Sequence, residues 1–237
     1  MLKGIYLTLM IGPAVPVPVP QAVLDALTSI EINLNDTERS AFQLTFTLST
    51  RSPLHTLFLL SGGSPIPLMR VIIMVTLNGT PNVLVDGVIT HHQVAPGSDA
   101  GHATLTITGE DLTAVMNQQE FSGLPYPALP AEGRVALIIA KYAFLGMVPM
   151  IIPSVLIDVP IPTHRIPAHR GTDLEYVKEL ADKVGYVFYI EPGPAPGTNI
   201  AYWGPQIKVG VPQPALNINI DAHTNVESLS FTFDNQS

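Results

Sequence analysis

Apolar and polar residues alternate along much of the first half of the chain. Ile30, Ile32 and Leu34 are interleaved with Glu31, Asn33 and Asn35, and Phe42, Leu44, Phe46 and Leu48 with Gln43, Thr45 and Thr47. A period of two is that of a half-buried strand. Asn35 and Asp36 between the runs supply a turn, so the pair predicts a hairpin. Leu57–Leu60 is a short apolar run ahead of an SGGSP loop. Val71–Leu77 is a continuous apolar strand, Asn78–Gly79 a hairpin turn, and Val83–Thr90 the partner. Residues 91–101 read as a polar loop. Ala103–Thr108 alternates again, with Leu105 and Ile107 on one side. Residues 28–108 thus predict about six strands at the spacing of a small barrel or sandwich.

The period then changes. Glu110–Met116 predicts a short helix with two acids in its first turn. FSGLPYPALPAEG (121–133) is a Pro- and Gly-rich loop and marks a boundary. Val135, Ile138, Ile139 and Tyr142 follow a helical repeat over 134–145, and Gly146 ends it. Residues 151–162 are apolar, strand-like and punctuated by proline. In TDLEYVKELADKVGYVFYI (172–190), Thr172 is an N-cap and Glu175 completes a capping box. Leu174, Val177, Leu180, Ala181 and Val184 form one stripe; Asp173, Lys178, Glu179, Asp182 and Lys183 are expected to face water. Gly185 stops the helix, and Tyr186, Phe188 and Ile190 share one side of a strand. Short strand-like runs follow at 200–203, 207–209 and 216–220, and Leu229, Phe231 and Phe233 alternate with Ser230, Thr232 and Asp234. The whole predicts an α+β, mainly β protein in three parts: 1–120, 121–200 with the capped helix 172–185, and a β-rich 201–237.

The N-terminus is unusual. PAVPVPVP (13–20) cannot be helical and reads as a stiff polyproline spacer with Val15, Val17 and Val19 between the prolines. MLKGIYLTLMIG before it opens as a signal peptide does, but Tyr6 and Thr8 interrupt the apolar stretch and no A-x-A-like cleavage site follows. The expectation is cytoplasmic synthesis without a signal peptide, and an extended arm lying on the protein or on a neighbour.

Composition narrows the function. Charged residues are 13% of the chain, about half the usual ~25%, while 46% are hydrophobic. No apolar run reaches the ~18 residues of a membrane span. An under-charged surface is then that of a subunit covered by others. A net charge of −8 with scattered cations argues against nucleic-acid binding. The absence of cysteine removes thiolate nucleophiles and disulfides.

Candidate chemistry is sparse. His91, His92 and His102 could gather across a loop, and His164 and His169 flank Arg165 and Arg170, but these read as loop histidines at the surface or an interface rather than as a metal site. Ser61-Gly62-Gly63-Ser64-Pro65 has neither the spacing nor the following helix of a nucleophile elbow, and no GK[ST] follows to make a phosphate loop. Glu110, Asp111 and Glu175 are explained by capping rather than by glycan cleavage. No catalytic residue, metal ligand or cofactor is assigned. Trp203 in YWGP reads as a core or an interface anchor, with the interface preferred, and Tyr126 between Pro125 and Pro127 as a loop aromatic packing on a neighbour.

SIEINLNDTERS (29–40) and ESLSFTFDNQS (227–237) share alternation followed by Asn/Asp. If this is a repeat, a second copy of the first β unit opens near residue 226. A lone strand there must add to the first unit, pair with another subunit, or continue in further chain. TDLEYVKELADKVGYVFYI, with YLTLMIGPAVPVPVP and AFQLTFTLS before it and YWGPQIKVGVPQPALNINI and TNVESLSFTFD after it, resembles phage late-control protein D and the VgrG-type hubs of contractile injection machines. The resemblance spans nearly the whole chain. It implies a tail-tube-like β-barrel, a small α/β domain and the start of a second tube-like barrel. Members continue past this point to finish that barrel.

The resemblance further implies a baseplate hub: a homotrimer acting as symmetry adaptor between the sixfold inner tube and the threefold spike, touching other baseplate components, within a virion or phage tail-like particle. Expected interface residues are Val15, Val17, Val19, Tyr126, Trp203, Leu229, Phe231 and Phe233. The alternatives are a small β-rich hydrolase, muralytic or other, using the histidine loop, and a glycan- or peptide-binding β module.

Overall fold

The alternating runs become the strands of one curled sheet. The computed structural model describes residues 5–13, 15–34, 39–49, 68–77, 79–96, 102–155 and 159–206. Seven strands, β1 (Ile5–Pro13), β2 (Val17–Pro18), β3 (Leu27–Asn33), β4 (Ala41–Ser49), β5 (Met69–Leu77), β6 (Thr80–Pro96) and β7 (His102–Asp111), are ordered β2-β1-β5-β6-β7-β4-β3. Every pairing is antiparallel. The two edge strands, β2 and β3, are joined by the five-residue helix α1 (Gln21–Asp25), which seats Val23 in the core. A sheet whose opposite edges are linked this tightly has curled on itself. The core it encloses takes Leu9 from β1, Phe42, Leu44, Phe46 and Leu48 from β4, Val71 and Ile73 from β5, and Leu105 and Ile107 from β7. The period-two pattern put these side chains on one face of each strand.

Two glycines shape this barrel. A Cβ on Gly109 would stand 2.1 Å from Cζ of Phe42, and one on Gly87 would stand 2.2 Å from the Glu110 carbonyl oxygen. The Phe42 ring fills the space that side chains at these two positions would need, which is a role for glycine where an aromatic approaches the backbone.

The N-terminal segment lies on the protein, as expected, and does so as a strand: β1 pairs with β5 over nine consecutive residues, and Leu9 and Ile11 are buried. Two expectations change here. The polyproline stretch turns back rather than spacing outward, because Met10 pairs with Pro18 and Ile11 with Val17. Residues 91–96 are strand rather than loop, since β6 runs on to Pro96 and His91 and His92 pair with Thr108 and Ile107 beyond a register shift after Ile89, while residues 97–101 lie outside the described residues. Bulges bend a strand without ending it. The Leu57–Leu60 run, the SGGSP loop and the Asn35–Asp36 turn lie outside the described residues.

β7 leads into a second core. Asp111 accepts hydrogen bonds from the Thr113 amide at 2.8 Å and its hydroxyl at 2.5 Å, starting helix α2 (Thr113–Met116). Glu110 and Asp111 are therefore the end of a strand, not the first turn of the helix. Helix α3 (Ala131–Ala140), a 3-10 turn at Ala143–Leu145 and a left-handed Gly146 lead to β8 (Met147–Ile151). Helix α4 (Asp173–Asp182) has the full capping box between Thr172 and Glu175 and precedes Gly185 at φ 71°. β9 (Tyr186–Pro192) and β10 (Asn199–Pro205) complete a three-stranded sheet ordered β8-β10-β9, with β8 and β10 parallel. Val135, Ile138 and Ile139 of α3 and Leu174, Val177, Leu180 and Ala181 of α4 pack with Phe188, Ile190 and Trp203 of this sheet. β10 is integral to that core, so an α/β boundary at residue 200 would cut through a strand. Both cores belong to a single compact unit, Met1–Pro205.

Candidate functional site

The feature that stands out on the surface is apolar. β8 is an edge strand, with a neighbour on one side among the described residues. Val148 and Met150 on it are 58% and 47% exposed, and Val155 beyond it is 98% exposed. Ile152, Val159, Ile161 and Ile166 continue the series. Prolines at 149, 153, 160, 162 and 167 prevent this stretch from coiling into a helix that could hide its own apolar side chains. Leu137 and Phe144, just before β8 in the chain, are also exposed. Single exposed hydrophobes are ordinary, but a series of this length along one segment marks a surface that another molecule covers.

Beneath that surface, a buried ion pair fixes the α/β core to the barrel. Arg70 on β5 and Asp86 on β6 are both 3% exposed. Their contact is bidentate, with Nε to Oδ1 at 2.7 Å and Nη2 to Oδ2 at 2.6 Å. Arg70 also donates to the carbonyls of Leu145 (2.7 Å) and Gly197 (3.2 Å), and Asn199 donates to Asp86 at 2.9 Å. Three hydrogen bonds thus tie the pair on the barrel strands to the 3-10 turn and the entry to β10. A buried charge pair is tolerated only where its hydrogen-bonding capacity is met in this way.

A second polar network sits at the start of α4. Asp173 is fully buried, contrary to the expectation that it faces water. It accepts from Lys141 Nζ at 2.7 Å and from the Tyr142 hydroxyl at 2.6 Å, and His169 Nε2 lies 3.4 Å away. The Tyr126 hydroxyl meets His169 Nδ1 at 3.0 Å, and Arg134 donates to the Tyr176 hydroxyl at 2.6 Å. The loop 120–126 is strapped onto 167–172 by backbone bonds, among them Tyr126 N to the Pro167 carbonyl and His169 N to the Leu124 carbonyl, both 2.8 Å. This strap covers Asp173. Burial pushes the Tyr126 hydroxyl up to about 12, with the charge of Asp173 adding to it, and pushes Tyr142 higher still.

The Asp–His–Tyr grouping contains the residue types of a proton relay, but His169 is 1% exposed and its ring is enclosed by Tyr126, Tyr176 and Phe121. Substrate cannot reach it, and the network serves to pin the loop to the helix. Burial, against the opposing pull of the Thr172 carbonyl and Asp173, holds His169 below its ordinary value of 6.5. The unfolded chain therefore binds a proton that the folded one refuses, and stability falls as pH drops below that value. Melting temperatures from about pH 7.5 down to about pH 5.5 are expected to decline more steeply for the native chain than for His169→Gln. Equal slopes would remove His169 from this account.

The expected interface residues separate into three groups. Val15 and Val17 are 77% and 61% exposed, while Val19 packs partly against the barrel core. Tyr126 and Trp203 are 4% and 0% exposed and belong to the α/β core. Their expected interface role is corrected: the strap encloses Tyr126, and the central position of β10 encloses Trp203, whose ring meets Tyr186 edge-on at 5.0 Å. Leu229, Phe231 and Phe233 lie outside the described residues. Among the described residues no three His, Asp or Glu side chains converge as a metal site would need, and no helix is long and apolar enough to cross a membrane.

The barrel followed by a small α/β unit is the fold of known tail and VgrG-complex chains. The tail protein from Neisseria meningitidis MC58 matches 95% of this chain and 60% of its own, at 13% identity and a TM-score of 0.58. A chain of the PdpA–VgrG complex in its lidless form matches 86% of this chain and 36% of its own, at 13% identity and a TM-score of 0.60. The lidded Francisella PdpA–VgrG complex gives 86% and 29%, at 13% identity and a TM-score of 0.59. The chain therefore spans under two thirds of the Neisseria protein and about a third of the others. No family model and no curated protein matches the sequence.

Proposed function

We propose that the protein is a structural component of a phage tail or tail-like injection particle, and within it a baseplate hub. On this reading three copies form a symmetry adaptor between the sixfold inner tube and the threefold spike, in contact with other baseplate components. It works by geometry and burial, with neither catalysis nor a cofactor. On this reading a second tube-like barrel opens near residue 226, with Leu229, Phe231 and Phe233 on its first strand. The observation that carries the reading is the exposed apolar series from Val148 to Ile166 on a chain with a tail-protein fold. A subunit meant to stand alone would not leave such a surface uncovered.

The exposed part of the interface then comprises β8 with the segment after it, and the Val15–Val17 turn. Light scattering on the purified chain is expected to give the mass of three 25.4 kDa copies. The double variant Val148→Asp/Met150→Asp should weaken association by about 2 kcal/mol or more, the scale of interface anchors, and shift the mass to one copy with an unchanged melting temperature. A native chain that stays monomeric at every concentration would refute the homotrimer.

A further inference from the structure

The chain is acidic overall, with a net charge of −8, yet one cleft reverses that sign. It lies beside α4 and has a volume of about 350 Å³. Arg134, Arg165, Arg170 and Lys183 line it, four of the chain's eleven Lys and Arg residues, against the single carboxylate of Glu179. Its remaining wall is apolar and includes Leu180, Val184 and Pro167. We propose that this cleft takes an acidic segment of a partner protein, with carboxylates on the cations and apolar side chains on the wall that Pro167 and Val184 leave half-exposed.

The geometry favours a peptide over a small anion. Arg134 is 8% exposed and held in place from two sides, its Nη1 on the Tyr176 hydroxyl at 2.6 Å and its Nε on the Pro130 carbonyl at 3.4 Å. Its Nη2 makes no hydrogen bond to the described residues and is left to donate to a carboxylate. Arg170 stands at the rim, 78% exposed, and meets Glu179 only at 3.9 Å. Glu179 is committed to Lys183 at 2.5 Å. The cations are therefore distributed from floor to rim instead of converging on one point, and apolar surface lies between them. That arrangement suits alternating acidic and apolar residues, and opposite charge at a rim guides and selects its partner. The volume falls within the usual range for a bound group, about 300–1,000 Å³. The assignment goes beyond the trimeric hub and does not rest on it.

A fluorescein-labelled alternating Glu–Leu peptide tests it by anisotropy on the full chain. The Glu–Leu peptide should bind, a Gln–Leu peptide should bind at least about tenfold more weakly, and Arg165→Glu/Arg170→Glu should weaken Glu–Leu binding by about tenfold or more. Both substituted residues are exposed, so the melting temperature and the light-scattering mass should stay unchanged. Equal binding of both peptides, or no effect of the charge reversal, overturns the proposal. So does a cleft that binds inorganic phosphate but neither peptide. Because mass is read on the same sample, failure of the unsubstituted chain to bind the Glu–Leu peptide while its mass is that of the assembly counts against the cleft alone, and a monomeric mass with peptide binding retained counts against the hub alone.

Discussion

Replacing Asp86 by alanine is expected to destabilise the protein by about 3–5 kcal/mol, the cost of leaving a buried charge without its partner. Arg70 would remain 3% exposed, its guanidinium still on the Leu145 and Gly197 carbonyls but without the Asp86 carboxylate. Asn199 would lose its 2.9 Å acceptor as well. Urea denaturation measures the loss. The pairwise double variant Arg70→Met/Asp86→Leu should cost clearly less than the two single changes added together, because it removes the charge along with the partner. Additive costs would mean that the two side chains do not act as a pair. The pair also fixes the α/β core to the barrel, an orientation that the proposed ring would need held.

The second large effect concerns Trp203. Truncation to alanine should cost about 3–5 kcal/mol, as for a fully buried aromatic. Its ring is 0% exposed, and its Nε1 is buried with no hydrogen-bond partner among the described residues. Trp203→Phe keeps an aromatic in the core and removes that unmatched donor, so it should cost much less than alanine. Thermal melts of both variants decide this. If Trp203 were an interface anchor, alanine would change the mass in solution and leave the melting temperature of the subunit intact, the reverse of what burial predicts.

Strands and caps were the legible part of this chain. The alternation in Phe42–Leu48 and the Thr172–Glu175 capping box each appear where the pattern put them, since both depend on local spacing. The N-terminal arm was legible as extended chain lying on the protein or a neighbour, but not which of the two, because apolar residues on both faces of Tyr6–Ile11 leave its partner unspecified. Arg70 and Asp86 were passed over, although a signal existed: each is the only charged residue in an otherwise neutral strand, and their signs are opposite. Asp173 gave no such signal. Its burial depends on the strap of residues 120–126, a long-range contact that no helical pattern encodes. The same holds for the cationic cleft, whose lining residues come from 131–134, 165–170 and 176–184.

The exposed series on β8 gives the account its most direct test. Electron cryo-microscopy of the chain mixed with its tube and spike proteins, viewed down the particle axis, should show three copies in a closed ring with Val148 and Met150 buried between neighbours. A solitary subunit with that strand facing solvent would contradict the claim that covering this surface is what the protein is for.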